Sequence, residues 1–377
     1  MNLDLKALPK EEEVTLVLRR LFEQYGYLRY RMSNFESYDL YSANKSFLKS
    51  EGIITFTDAS GRLMALKPDV TMSIVKNCKE NAVSEKLYYI ENVFRSATKG
   101  SEYREISQMG IEFIGANRGY PEMEVVALAA DSLAAISEDA VLDISHMGFV
   151  TAMLDDLQLT GAARAEALEA LHGKNAHTLR SVALAAGCTE SEAEKLASVA
   201  FLAGSCETVL PKALALAGAS CEMRAAIAEV QALYEALLAM GKTAQLRLDF
   251  SMLHDIDYYN GIIFQGYVRG VPHAVLAGGR YDNLMRRFGK PQAALGFALY
   301  LGELGRAFAQ TQKYDADTIL LYDATQPPAL VAKAVECLIL TGERVRAETE
   351  ILPTLRVKRV LRLQNDGTMP AVEVEKC

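Results

Sequence analysis

At 377 residues the chain exceeds one average domain, and its 40 Lys and Arg against 48 Asp and Glu leave a net charge of −8. Two or three domains with ample buried core are expected, and a strong, sequence-independent grip on nucleic-acid phosphates, tRNA included, is disfavoured. Hydrophobic residues make up 50% of the chain, but they are spread through periodic segments rather than gathered into a run of about 18, so no membrane span is expected. The opening MNLDLKALPKEEE leads into an acidic helix start instead of an apolar signal core, which points to a cytoplasmic protein. Cys78, Cys188, Cys206, Cys221, Cys337 and Cys377 are scattered, with no CxxC pair and no histidine at metal-ligand spacing. They read as idle or buried thiols, and neither a metal nor a cofactor is expected.

In chain order, PKEEEVTLVLRRLFEQYG (9–26) predicts an amphipathic helix with acids in its first turn and a glycine at its end. ITFTDASGRLMALKPDVT (54–71) predicts a hairpin turning around Asp58, Ser60 and Gly61, and KLYYIENVFRS (86–96) and YREISQMGIEFIG (103–115) predict two further strands. With no repeated helical crossovers, the expected class is α+β with an antiparallel sheet flanked by helices. A helix is expected over about 121–137, followed by an alanine- and leucine-rich helical insertion over about 151–245, broken at Gly173, Gly187, Gly204 and Gly218. Strands return in QLRLDFSML (245–253) and YYNGIIFQGYVRG (258–270), and a glycine-marked segment leads into a helix expected over about 295–309. Past the polar stretch TQKYDAD, residues 315–377 predict a small α/β module separate from residues 1–310.

Three strand segments bring polar residues to alternating positions: Asp69 with Thr71, Gln108 with Glu112 across Gly110, and Arg95 after a buried-type run. Two carboxylates, an amide and a guanidinium on one face suit an ammonium, an imidazole N–H and a carboxylate together, as in a zwitterionic amino acid. The solvated face of a half-exposed sheet shows the same alternation, and spacing alone leaves both readings open. The pair Tyr258 and Tyr259 before Asn260 and Gly261, and the glycines of AGGRYDNL (277–284), mark a further place of close approach. As a nucleotide signature AGGRYD is weak, lacking spaced glycines. His146, His172, His177 and His273 have no nucleophile or metal partner in the sequence and read as structural or surface groups.

Several of these runs together resemble the class II aminoacyl-tRNA synthetase family, and within it histidyl-tRNA synthetase. LKPDVT (66–71) resembles the loop that holds the amino group, FRSATKGSEYREISQMGIEFIG (94–115) the second signature motif, DYYNGIIFQGY with AGGRYDNL the histidine-specific segment, and ALGFALYLGEL (294–304) the third motif. The resemblance implies a histidine pocket with Asp69 and Thr71 at the α-amino group, Gln108 bridging toward the carboxylate, and Glu112 and Tyr259 around the imidazole, with Arg95 and Tyr258 beside them. The ATP half of the family site is altered. An arginine ahead of the tyrosine pair is replaced by His254, the motif-three arginine by Glu303, and an arginine before the second-motif tyrosine by Glu102. Glutamate for arginine reverses the local field where a triphosphate would sit, which argues against aminoacylation.

Within the family these departures, and the run FQGYVRGVPHAVLAGGRYD, resemble the regulatory subunits of ATP phosphoribosyltransferase. That resemblance implies no catalytic residues of the chain's own, a short-form catalytic subunit as partner in a cytoplasmic hetero-oligomer, a homodimer within it, and histidine as effector of the first step of histidine biosynthesis. An active histidyl-tRNA synthetase and a free-standing histidine sensor are the alternatives. Ser33 stands where the family's first motif usually has a dimer-interface proline, and residues 315–377 are expected to be a degenerate anticodon-binding-like module.

Overall fold

Alternation along Tyr103–Ile114 sets the plan of the fold, because Met109, Ile111 and Phe113 leave one side of the strand while Gln108, Gly110 and Glu112 leave the other. Such a strand needs an apolar cover on one face and keeps a polar floor on the other. The computed structural model describes residues 8–42, 52–79, 84–96, 103–115, 119–242, 246–253, 258–308, 314–351 and 354–372. The chain divides into two units, Met1–Ala309 and Gln310–Cys377.

The first unit begins with α1 (Lys10–Gln24), β1 (Leu28–Arg29), β2 (Phe35–Ser37), α2 (Tyr38–Ser42), the hairpin strands β3 (Thr55–Thr57) and β4 (Leu63–Leu66), and α3 (Thr71–Asn77). The long pair β5 (Glu85–Ser96) and β6 (Tyr103–Ile114) follows, then α4 (Tyr120–Ile136) and β7 (Val141–His146). The alanine-rich block comprises α5 (Met147–Asp156), α6 (Gly161–His172), α7 (Ala176–Ala185), α8 (Glu190–Val199), β8 (Ala203–Gly204), α9 (Cys206–Ala217) and α10 (Cys221–Ala239). It leads to β9 (Leu246–Asp249), β10 (Ile262–Tyr267), β11 (Leu276–Arg280), α11 (Asp282–Arg287), β12 (Ala294–Tyr300) and α12 (Leu301–Ala307).

These strands form a nine-stranded sheet in the order β1-β5-β6-β12-β11-β10-β7-β9-β8, and β2, β4 and β3 form a small separate sheet. From β5 across to β7 every neighbouring pair is antiparallel. Strand β9 lies parallel to β7. A parallel pair cannot be closed by a tight turn, and the helical block between β7 and β9 supplies the long crossover it needs.

On one face of the sheet Val14, Leu18 and Phe22 of α1 and Val125, Val126 and Leu133 of α4 belong to one core with Met109, Ile111, Phe264 and Phe297. Phe22 meets Phe297 edge-on with ring centroids 6.1 Å apart, and each such side chain removed from water contributes about 1.5–3 kcal/mol. Helix α1 starts behind Pro9 with Glu11, Glu12 and Glu13 in its first turn, where carboxylates complement the helix dipole. His146 acts as a cap for α5, its Nδ1 accepting the Gly148 N–H at 3.1 Å while Nε2 lies 3.1 Å from Glu229 Oε2 on α10.

One expected helix is shorter than its sequence suggests. The helix expected over about 295–309 is confined to α12, because Ala294–Tyr300 is a strand between β6 and β11. A strand buried on both faces is apolar throughout, so ALGFALY carries no period-2 signal to separate it from a helix.

The second unit contains β13 (Ala316–Leu321), α13 (Pro328–Leu340), β14 (Val345–Glu348), β15 (Val357–Arg362) and β16 (Ala371–Val372). Its sheet runs β14-β13-β15-β16, with β13 parallel to both neighbours. Leu320, Leu361 and Leu363 pack with Ala334 and Leu338 of α13. Among the described residues no helix is long and apolar enough to cross a membrane.

Candidate functional site

The polar face of β6 becomes the floor of a cleft because its neighbours give way above it. Gly110 sits opposite Tyr89 of β5 and Ala298 of β12, and Ala298 sits opposite Ala277 of β11, so small residues form a row across the strands. A Cβ on Gly296 would stand 1.9 Å from Glu112 Oε2 and 2.3 Å from the Ile111 carbonyl oxygen, so only glycine leaves the Glu112 carboxylate its place.

Asp69 and Thr71, expected on a strand, lie instead at the start of α3, with Thr71 its first residue. The ladder of β4 ends at Leu66, ahead of Pro68, and Asp69 Oδ1 accepts the Met72 N–H at 2.7 Å, capping the new helix. The segment is tied to β5 at three points. The Phe94 N–H donates to the Lys67 carbonyl at 2.9 Å, Arg95 Nε to the Pro68 carbonyl at 2.9 Å, and buried Lys67 forms an ion pair with Glu91.

Together these elements enclose a cleft of about 210 Å³ lined by Asp69, Thr71, Arg95, Gln108, Glu112, Tyr258 and Tyr259, along with Tyr89, Tyr281 and Tyr300. The seven residues singled out from the sequence as a histidine pocket therefore share one cavity. It is smaller than the roughly 300–1,000 Å³ typical for drug-sized ligands and matches the scale of one amino acid.

Two carboxylates face this space. Glu112 is 2% exposed, and its oxygens accept hydrogen bonds from Thr71 Oγ1 and Tyr281 OH, each at 2.6 Å. Burial pushes its carboxyl up to about 8, against the pull of those two hydroxyls. Asp69 is also raised by burial, partly offset by the Met72 N–H and the Arg95 charge. Burial holds Tyr89, Tyr258 and Tyr281 well above the ordinary phenol value, so they act as neutral hydroxyls. A cleft with two desolvated carboxylates and the single guanidinium of Arg95 among its lining groups favours a ligand with a cationic group and one anionic end.

Tyr281 was not singled out from the sequence. Its signal was present, since Ala277, Gly279 and Tyr281 follow the period of two along the β11 segment and emerge on the Glu112 side. Of the three positions that the sequence resemblance assigns to the nucleotide side, Glu102 and His254 lie outside the described residues, and Glu303 sits half-buried in the first turn of α12. Ser33 is in the loop before β2, its Oγ accepting the Phe35 N–H at 3.1 Å.

The family model described as histidyl-tRNA synthetase matches residues 3–304. An ATP phosphoribosyltransferase regulatory subunit of Moorella thermoacetica is 33% identical over 300 residues, covering 78% of this chain and 77% of that one. A Bacillus halodurans structure titled an ATP phosphoribosyltransferase regulatory subunit/histidyl-tRNA synthetase superposes with a TM-score of 0.74 at 24% identity, covering 90% of this chain and 88% of that chain. The ATP phosphoribosyl transferase (HisG:HisZ) complex of Thermotoga maritima contains a chain with a TM-score of 0.60 at 18% identity, covering 76% of this chain and 96% of its own. Those two structures share the fold, while the family match and the Moorella identity carry the assignment: this chain belongs to the ATP phosphoribosyltransferase regulatory subunits, built on the histidyl-tRNA synthetase core.

Proposed function

We propose that the chain binds free histidine in the cleft and thereby regulates an ATP phosphoribosyltransferase at the first step of histidine biosynthesis, without catalysis of its own. The observation that carries this reading is the meeting of Asp69, Glu112 and Arg95 in one amino-acid-sized cleft. An α-ammonium would face Asp69 and Thr71, a carboxylate Arg95 and Gln108, and an imidazole Glu112 and Tyr259. Such pairing supplies the hydrogen bonds that buried charged groups require. Adenylate formation needs cations against the triphosphate, and the resemblance puts Glu102, His254 and Glu303 at positions of family arginines.

The proposed partner is a short-form catalytic subunit of ATP phosphoribosyltransferase, in line with the composition of the Thermotoga complex, in a cytoplasmic assembly. A homodimer within it is supported by Phe35 and Phe56, which are 55% and 37% exposed and meet edge-on at 5.4 Å on the small sheet. A monomeric parent in analytical ultracentrifugation would remove the dimer. The second unit is read as a degenerate anticodon-binding-like module, a reading that a measurable affinity of the isolated chain for histidine tRNA would overturn. Regulation requires histidine to bind two states of the complex unequally, with a coupling of about 1–3 kcal/mol.

The deciding experiment mixes the purified chain with a short catalytic subunit and follows phosphoribosyl-ATP formation with and without histidine. Activation by the chain and inhibition by histidine are expected. Absence of activation refutes the regulatory role, and histidine-dependent ATP–pyrophosphate exchange by the chain alone would establish a synthetase instead.

A further inference from the structure

Arg280 ends β11 and is only 5% exposed. It sits beside the cleft without lining it, since its neighbours in sequence, Gly279 and Tyr281, point the other way. Its Nη1 donates to Glu122 Oε1 on α4 at 2.8 Å and its Nε to Asp282 Oδ2 at 2.9 Å. The second oxygen of Glu122 accepts the Gly119 N–H at 3.2 Å.

Asp282 carries the link onward to the tyrosine loop. Its Oδ2 accepts Asn260 Nδ2 at 3.2 Å, its own N–H donates to Asn260 Oδ1 at 2.9 Å, and its Oδ1 accepts the Ala294 N–H at 3.0 Å. The Asn260 N–H donates to the Arg280 carbonyl at 3.1 Å. Packing reinforces this, because a Cβ on Gly261 would lie 2.9 Å from Arg280 Cδ and one on Gly279 would lie 2.9 Å from Tyr259 Cδ1. The loop is therefore pressed onto β11 on both sides of Asn260. Its two rings lie in contact, centroids 4.6 Å apart and planes tilted by 43°, and Tyr258 lies 5.9 Å from Tyr281, the hydroxyl donor to Glu112.

We infer that Arg280 is a positioning residue, and that Glu122, Arg280, Asp282 and Asn260 form a clamp that fixes the Tyr258–Tyr259 wall over the cleft. This rests on the reading of the cleft as the histidine site. A planar guanidinium holds two carboxylates in fixed directions at once, which a lysine ammonium does not. The ion set orients Asp282, Asp282 orients Asn260, and Asn260 places the rings. Ligand contacts thus depend on a residue that touches no ligand.

The chain has no tryptophan, so Tyr259→Trp installs a single tryptophan, excited selectively over the tyrosines, in the loop of the full-length protein. Asn260→Ala removes the side-chain link to the loop and leaves the Glu122–Arg280–Asp282 set in place, whereas Arg280→Lys keeps the charge and loses the fork. On the Tyr259→Trp background, both are expected to red-shift the emission in the absence of histidine. With Tyr259 retained, each is expected to weaken calorimetric binding of L-histidine roughly tenfold, and Asn260→Ala is expected to keep a near-parental thermal midpoint. Unchanged emission and affinity in folded Asn260→Ala would overturn the clamp, and so would a loss of affinity that merely tracks a lowered midpoint without an emission shift. Should Arg280→Lys fail to fold, Asn260→Ala alone decides. A parent that does not bind histidine refutes the ligand reading separately, and the emission shift then judges the clamp, its presence in support and its absence against.

Discussion

The two faces of the nine-stranded sheet share one hydrogen-bonded backbone and do opposite work. Where α1 and α4 cover it, Phe22, Met109, Ile111 and Phe297 are buried against one another, and the transfer of apolar surface out of water holds the unit together. On the other face the same strands present Gln108, Glu112, Gly296 and Tyr300 to the cleft. There burial is unfavourable to the charged form of Glu112, which has hydroxyl donors from Thr71 and Tyr281 but a carboxyl pushed up to about 8. One face stabilises the fold, and the other keeps a desolvated acceptor ready for a ligand that completes it.

That division can be broken most directly at Phe22. Phe22→Ala is expected to lower the unfolding free energy by about 3–5 kcal/mol in chemical denaturation, while histidine affinity, measured where the variant is folded, stays at the parental value. A parallel collapse of affinity would show that the faces are not separable. On the cleft side, Gly296→Ala forces the Glu112 carboxylate aside and should weaken calorimetric histidine binding by about 1–3 kcal/mol. Glu112→Ala, which removes a buried acceptor, belongs in the same range of about 1–3 kcal/mol, and Tyr259→Phe nearer to 1. Parental affinity in all three would take histidine out of this cleft.

Proton linkage sharpens the comparison further. The folded chain holds a proton on Glu112 that the unfolded chain releases near the ordinary carboxyl value, so the stability this group contributes is complete at pH below that value. It falls as pH rises toward about 8 and is then flat. Glu112→Gln should flatten that slope in thermal denaturation at stepped pH, and histidine binding to the parent near neutral pH should release a proton, read from calorimetry in buffers of different ionisation heat. A slope identical in parent and Glu112→Gln would locate the titration elsewhere. The smallest effect is expected at Glu303, where Glu303→Ala should leave histidine affinity within about 0.5 kcal/mol, and a larger loss would draw α12 into the binding site.

Much of this was written locally in the chain. The acids after Pro9 mark the start of α1, the alternation of Gln108, Gly110 and Glu112 marks a two-faced strand, and the alanine-rich stretch between β7 and β9 reads as helices, because each signal spans only a few neighbouring residues. The residues now lining the cleft were legible as residue types for the same reason. Distant contacts decided the rest. Ala294–Tyr300 became a strand because β6 and β11 pair with it on either side, and Asp69 left the strand to cap α3. Tyr281 gained its role only when β11 was laid beside β12 and Glu112 came within 2.6 Å of its hydroxyl. Periodicity reports which way a side chain leaves the backbone, whereas burial, pairing and the shifted carboxyl of Glu112 depend on residues far away in sequence. The chain alone could therefore supply the groups of the site, and only the packed sheet could desolvate them.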